Sequence, residues 1–290
     1  MDFTSIAEII TAAESENKTI SRVILEGSAA DMGKTGAEIF EMMAANYKVM
    51  KEAAVKGLEN ASLSASGLSG GNAGKVKSLR DAGKHITGDF INEIIYTALA
   101  VSETNARMGR IVAAPTAGSC GILPACLIAL QNHFNISDEA AVMGLINASG
   151  IGMIIARNAS ISGAEGGCQA ECGSASAMAA SAVTEIMGGG PEQCGHAAAQ
   201  ALKSFMGLVC DPVAGLVEEP CIIRNVSCAV IAVTSAELAL AGVRSVIPVD
   251  EVVRAMFSVG NMMPHSLKET AEGGLAATET AKAISCRISS

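Results

Sequence analysis

The stretch GAEIFEMMAANYKVMKEAAVKGLE, Gly36 to Glu59, sets Phe40, Met43, Tyr47, Met50 and Ala54 at steps of three and four. That spacing lines one face of an α-helix and does not fit a strand, whose apolar residues alternate. The pattern returns in DFINEIIYTALAVSETNARM (Asp89–Met108) and in segments near 121–133, 138–157, 174–188, 192–207, 226–242 and 249–258. Only GRIVAAP (109–115) has the character of a short strand. The expected fold is therefore all-α. It is a single large helical domain over 1–290, in which 1–35 is set off as a peripheral N-terminal segment by the polar EGSAADMGKTG near residues 26–36.

Half of the 290 residues are hydrophobic and 17% are charged, which calls for a deep core and leaves apolar surface for an oligomer interface. The net charge is −9 and the basic residues are scattered singly, which speaks against nucleic acid as a partner. MDFTSIAEIITAAESENK has neither the basic start nor the unbroken apolar run of a signal peptide, so a cytoplasmic protein is expected. AAVMGLINASGIGMIIA (140–156) is interrupted by Asn147, Ser149 and glycines, and reads as a buried core helix rather than a membrane span.

Between the helical segments lie five loops rich in small residues: SASGLSGGNAGK (64–75), APTAGSCGILP (114–124), NASISGAEGGCQAECGS (158–174), MGGGPEQCG (187–195) and CDPVAGLVEEPC (210–221). Helical proteins usually turn more briefly, so loops of this length point to a site assembled from them. Nine cysteines in a chain without a secretion signal are expected to be reduced thiols. Cys126, Cys194 and Cys228 sit in apolar or alanine-rich stretches and read as core residues. Cys168, Cys210 and Cys221 sit in or beside turns instead. The chain has no Cys-x-x-Cys pair and its four histidines are dispersed, so structural zinc is not expected. An iron–sulfur cluster draws ligands from distant loops. The 210–221 loop, stiffened by Pro212 and Pro220, offers two thiols, and EGGCQAEC offers a third in Cys168 or Cys172. Gly166 and Gly167 would let backbone N–H groups approach such a cluster. Core cysteines in tight turns are the simpler alternative.

APTAGSCGILPA, NASISGAEGGCQAECGSASAMAA, CDPVAGLVEEPCIIRN and SLKETAEGGLAATETAKA follow one another in an order that resembles the α chain of bacterial iron–sulfur L-serine dehydratases, from about residue 60 to residue 280. The resemblance implies a [4Fe–4S] cluster on Cys168, Cys210 and Cys221, with no pyridoxal phosphate. It also implies β-elimination of water from L-serine to give pyruvate and ammonia, and a separate β chain, as in the two-chain form. Three thiolates leave one iron open as a Lewis acid for the departing hydroxide. Cys286, near the end of the chain, is expected either to fray with the tail or to fold back and cap that iron.

The substrate's carboxylate is expected at two places. One is the 66–71 loop, with Ser66, Ser69 and Gly70. The other is the start of the helix after Thr116, Ser119, Cys120 and Gly121, where Ser119 reads as the N-cap. Asn158, Ser160 and Ser162 are expected near the cysteine loop. Lys75, Lys77, His85 and His265 are the candidate bases for the α-proton. The alternatives are a related cluster lyase acting on threonine or cysteine, and a redox-sensing cluster protein without catalysis.

Overall fold

The computed structural model describes residues 3–289, which form thirteen α-helices: α1 (Ile6–Ser15), α2 (Ile20–Met32), α3 (Gly36–Glu59), α4 (Asn72–Asp81), α5 (Gly88–Ala106), α6 (Ile122–Phe134), α7 (Asp138–Asn158), α8 (Gly163–Gly166), α9 (Ser174–Ile186), α10 (Pro191–Ser204), α11 (Cys221–Leu240), α12 (Val249–Met262) and α13 (Glu279–Ser289). A single π-helical segment, Gln169–Gly173, runs into α9. No strand occurs among the described residues. GRIVAAP is irregular chain between α5 and α6, since a lone extended segment finds no neighbour for a ladder.

The chemistry of α9 dictates the packing. Its sequence SASAMAASAVTEI is almost all small, and every residue from Ser174 to Thr184 is buried. Small side chains let neighbouring helices come close, and α9 is enclosed by α6, α7, α10 and α11. Two of its hydroxyls have partners on neighbouring helices: Ser176 Oγ donates to the Cys228 carbonyl at 2.8 Å and Ser181 Oγ to Asn147 Oδ1 at 2.6 Å. α7 and α11 are long and apolar enough to cross a membrane by composition (mean hydropathy 1.6 and 1.5). Even so, 67% of the α7 window lies buried inside the fold, against α2, α3 and α9.

The helix at Gly36–Glu59 forms with the expected bounds. Its start is fixed by a capping box between Thr35 and Glu38. Where it crosses α5, a Cβ on Gly57 would overlap the Ala100 carbonyl, so glycine sets how closely the two helices approach. The polar stretch near 26–36 is the end of α2 followed by a short turn. Ile6, Ile9, Ile20 and Ile24 from α1 and α2 lie fully buried in the main core, so residues 3–35 are built into the domain.

One polar chain crosses this core. Glu185 Oε2 accepts from Ser21 N at 3.1 Å, at the start of α2, and from Asn147 Nδ2 at 2.8 Å. Burial raises the Glu185 pKa above the usual carboxylate value and outweighs the lowering by these hydrogen bonds. A raised folded-state pKa means that the native state binds the proton more tightly than the unfolded chain. Its stabilising contribution is therefore complete below pH 4.5 and is lost as pH rises through the raised value. The Glu185→Gln variant should lose that pH-dependent step. Denaturant midpoints of both proteins from about pH 4 to pH 8 should diverge across the window, and a constant offset would contradict the assignment.

Candidate functional site

Three separate segments bring cysteines to the N-terminal ends of two core helices. Cys168 stands just before the π-helical segment that leads into α9, and Cys221 is the first residue of α11. Cys210 belongs to the loop between α10 and α11. All three are buried, at 1%, 3% and 7% exposure for Cys168, Cys210 and Cys221. They are close enough to act on one another electrostatically. Burial raises the Cys210 pKa, and the neighbouring Cys168 and Cys221 raise it further. Cys221 is pushed up to about 12 by burial first and by Cys168 next. Cys172 and then burial push the Cys168 pKa up as well; the Arg224 guanidinium offsets part of the rise at both Cys168 and Cys221, and helix N-termini favour negative charge.

Cys172 has a different environment. It is hydrogen-bonded to Cys168 on one side and Cys228 on the other, deeper in the core. Cys168, Glu171 and Cys172 bring one ligand atom each within 4.8 Å of one another.

The cysteine loop has no regular structure of its own and is held from outside. Cys210 N donates to the Leu267 carbonyl at 2.9 Å, and Glu269 N donates to the Cys210 carbonyl at 2.8 Å. Asp211 is buried. Its carboxylate accepts from Leu275 N at 2.7 Å and pairs with Arg224 at 2.8 Å, while Arg224 Nη1 donates to the Val209 carbonyl at 2.8 Å. Gly274 must be glycine here: its φ is +57°, and a Cβ would strike the Asp211 carboxylate. Asn225 joins two loops by accepting from Gly121 N at 2.9 Å and donating to the carbonyls of Gly118 at 2.6 Å and Cys221 at 2.9 Å. Gln169 fastens the π-helical segment to the Gly207 amide and the Met256 carbonyl.

The expected substrate residues divide into those brought to the cysteine loops and those turned elsewhere. Thr116 Oγ1 donates to buried Glu171, in the turn between Cys168 and Cys172, and Ser119 Oγ lies 3.1 Å from Thr116 Oγ1. Ser119 is not the N-cap of α6. That position falls to Gly121, because Asn225 and the close backbone of α5 require a residue without a side chain there. Cys120 is buried, with its pKa raised to about 12 by burial. Ser160 Oγ donates to Glu165 at 2.5 Å and accepts from Ser162 N at 3.0 Å. Asn158 reaches the Thr4 carbonyl at 2.7 Å, toward the N-terminal segment. Ser66 and Ser69 both donate to Glu218 of the cysteine loop, next to Gly70 with φ +138°. The N–H groups of Gly166 and Gly167 are used in bonds to the Ser162 and Gly163 carbonyls. Instead, a Cβ on Gly167 would strike Met263, just past α12, and a Cβ on Gly260 of α12 would press on Gly166, so glycine lets these segments pack closely.

Among the expected bases, Lys75 donates to Asn72, Lys77 pairs with Asp81, and His85 faces Asp89 at 3.4 Å. His265 lies in a cavity of about 470 Å³ that it shares with Ser160, Glu165, Gly166 and Lys268, beside the turn that carries Cys168. The tail does not fray. It forms α13, which folds back onto the Val213–Gly215 turn of the cysteine loop, with Ala281 buried and Cys286 exposed to solvent.

Comparison with known proteins then places the chain. Residues 4–276 match the family model described as serine dehydratase alpha chain. The chain belongs to that family. It is 46% identical over 99% of its length to a protein of Bacillus subtilis named probable L-serine dehydratase, alpha chain, and covers 95% of it. It is 45% identical over 96% of its length to the L-serine dehydratase alpha chain of Peptoniphilus asaccharolyticus, again covering 95%. Over 93% of the chain it is 40% identical to the L-serine dehydratase of Streptomyces coelicolor, a longer protein of which it covers 59%.

The donor set fits an iron–sulfur cluster. It consists of buried thiols drawn from distant loops, a set suited to soft iron–sulfur ligation. Gly163 leaves the room beside them, since a Cβ there would sit 2.9 Å from Cys210 Sγ and 3.2 Å from Glu269 Oε2. The Gly163→Ala variant should therefore retain several-fold less iron after anaerobic reconstitution. Unchanged iron content would show that the space beside Cys210 is not needed.

Proposed function

We propose that this chain is the α chain of an L-serine dehydratase, an ammonia-lyase, and that Cys168, Cys210 and Cys221 hold a [4Fe–4S] cluster. The observation that carries the reading is that these three thiols are buried, in the turn leading into α9, in the loop before α11 and at the first residue of α11, with Cys168 near enough to act on the other two. The influence of Cys168 on the Cys210 and Cys221 thiols, with Cys172 set between Cys168 and Cys228, supports Cys168 as the third ligand. When bound, the cluster supplies a Lewis-acidic iron without a protein thiolate, which stabilises hydroxide as it leaves. Pyridoxal phosphate has no part in this scheme.

The chain's own residues then have three tasks. Asp211, Arg224 and the 267–275 segment keep the cysteine loop in place before substrate arrives. Backbone N–H groups around Gly70 suit the carboxylate of L-serine, whereas those of Gly121 and Ile122 at the start of α6 are already bonded to Asn225 and to the Ser119 carbonyl. Thr116 and Ser119 add hydroxyls beside Glu171, which keep that end of the site polar. The α-proton goes to His265, which faces Glu272 at 3.6 Å and lines a cavity beside the Cys168 turn; Lys75, Lys77 and His85 lie in or beside α4 with partners of their own.

A separate β chain completes the enzyme. The alpha-chain names of its relatives support that partner. The nine free thiols suit a reducing cytoplasm.

One observation favours a second ligand set. Cys168, Glu171 and Cys172 stand close enough for a single ion. The test is serine substitution at Cys168, Cys172, Cys210 and Cys221 in turn, in enzyme assembled with its β chain without oxygen. Loss of the brown chromophore and of pyruvate formation is expected for Cys168→Ser, Cys210→Ser and Cys221→Ser, and retention of both for Cys172→Ser. Loss in Cys172→Ser with retention in Cys210→Ser and Cys221→Ser would instead favour the ion site.

A further inference from the structure

Glu218 lies in the cysteine loop, three residues before Cys221, and is 7% exposed. It has no ion-pair partner among the described residues. Three hydroxyls of a different loop meet it instead. Ser64 Oγ donates to Oε2 at 2.6 Å, Ser66 Oγ donates to Oε1 at 2.7 Å, and Ser69 Oγ also donates to Oε2. A carboxylate has room for about four such bonds, and bonds to an ionised acceptor are the strong ones. A buried acid without a cation depends on them heavily, because an unmatched buried charge is costly.

The same hydroxyls organise their own loop. Ser64 Oγ and Ser66 Oγ are 3.0 Å apart, and Ser66 Oγ accepts from Leu68 N at 3.1 Å. Ser64 N donates to the Ser69 carbonyl at 2.8 Å, and Gly67 N to the Ser64 carbonyl at 3.0 Å. The far side of the loop is tied to α5: Arg107 donates to the Ser62 carbonyl at 3.2 Å, and Glu103 accepts from Asn72 N at 2.8 Å. Between these attachments the chain turns through Gly70 and Gly71, at φ +138° and +72°.

We infer that Glu218 is a positioning residue for substrate binding: it gathers Ser64, Ser66 and Ser69 so that the 62–71 loop is fixed against the cysteine loop. This rests on the reading that the 62–71 loop binds the carboxylate of L-serine. The serine hydroxyls are then structural, and what the loop offers the substrate is backbone N–H. The two halves of the site are fastened by one carboxylate, so their spacing is set before either meets a ligand.

The test compares Glu218→Ala and Glu218→Gln with the parent in the reconstituted two-chain enzyme. Amide hydrogen exchange is followed over residues 62–71. Glu218→Ala should raise KM for L-serine about 30-fold while kcat falls less than about threefold, the pattern of lost uniform binding. Exchange of the 62–71 amides should quicken about tenfold or more, with iron content unchanged. Glu218→Gln, which keeps one acceptor oxygen, should fall between. If Glu218→Ala does not fold, the paired change Ser64→Ala with Ser69→Ala should show the same split.

Unchanged KM and exchange would overturn the inference. So would iron loss without a KM change, which would make Glu218 a prop for the cysteine loop alone. A fall in KM would also overturn it, by making Glu218 a competitor for the substrate's place. Should the parent enzyme fail to act on L-serine, the functional reading fails, while hydrogen exchange still decides whether Glu218 holds the loop.

Discussion

The loop that carries Cys210 and leads to Cys221 has to be satisfied by groups outside itself. Backbone N–H and C=O groups that are buried need partners, and in a helical protein a long loop finds none in a ladder. Here the 267–275 segment supplies them. It pairs with the Cys210 backbone through Leu267 and Glu269, and with the Asp211 side chain through Leu275. Arg224, one turn into α11, closes the other side on Asp211 and the Val209 carbonyl. Everything proposed for the thiols depends on this short, non-helical join. It also accounts for the GGLAAT element, in which Gly274 must leave room for Asp211.

The core prepares the same place from within. α9 is small enough to be surrounded on all sides, and the segment that enters it adopts a π-helical turn carrying Glu171 and Cys172. π-helical turns inside helices recur at functional sites. Cys172 and then burial raise the Cys168 pKa, and burial raises those of Cys210 and Cys221, so as free thiols they resist ionisation. Thiolate ligands exist there at neutral pH only with a cation to hold them. The Arg224 guanidinium lies close enough to favour the charged form of Cys168 and Cys221.

Much of this was legible in the residues. The 3.6-residue period marks α3, α5 and the longer core helices, since a long apolar face leaves few alternatives. The period does not mark α1, α2, α4, α8 or α13. α4 is short and polar, with Ala73 its one buried residue, and α13 likewise buries only Ala281; tertiary contacts decide such helices. Loop composition pointed to the site and to its cysteines. It could not show that Ser66 and Ser69 turn to Glu218, that Asn158 faces Thr4, or that Gly121 takes the cap expected of Ser119. Those are long-range pairings without a local signal. For the same reason Glu218, Asp211, Arg224, Asn225 and Gln169 are apparent only once the helices are assembled.

The central claim is that three protein thiolates hold a four-iron cluster and leave one iron for the substrate. Mössbauer spectroscopy of the two-chain enzyme, reconstituted without oxygen with iron-57, tests it most directly. The account predicts that L-serine changes the signal of one iron in four and leaves the other three as they were. Four equivalent irons that ignore the substrate, or a single mononuclear iron, would contradict it.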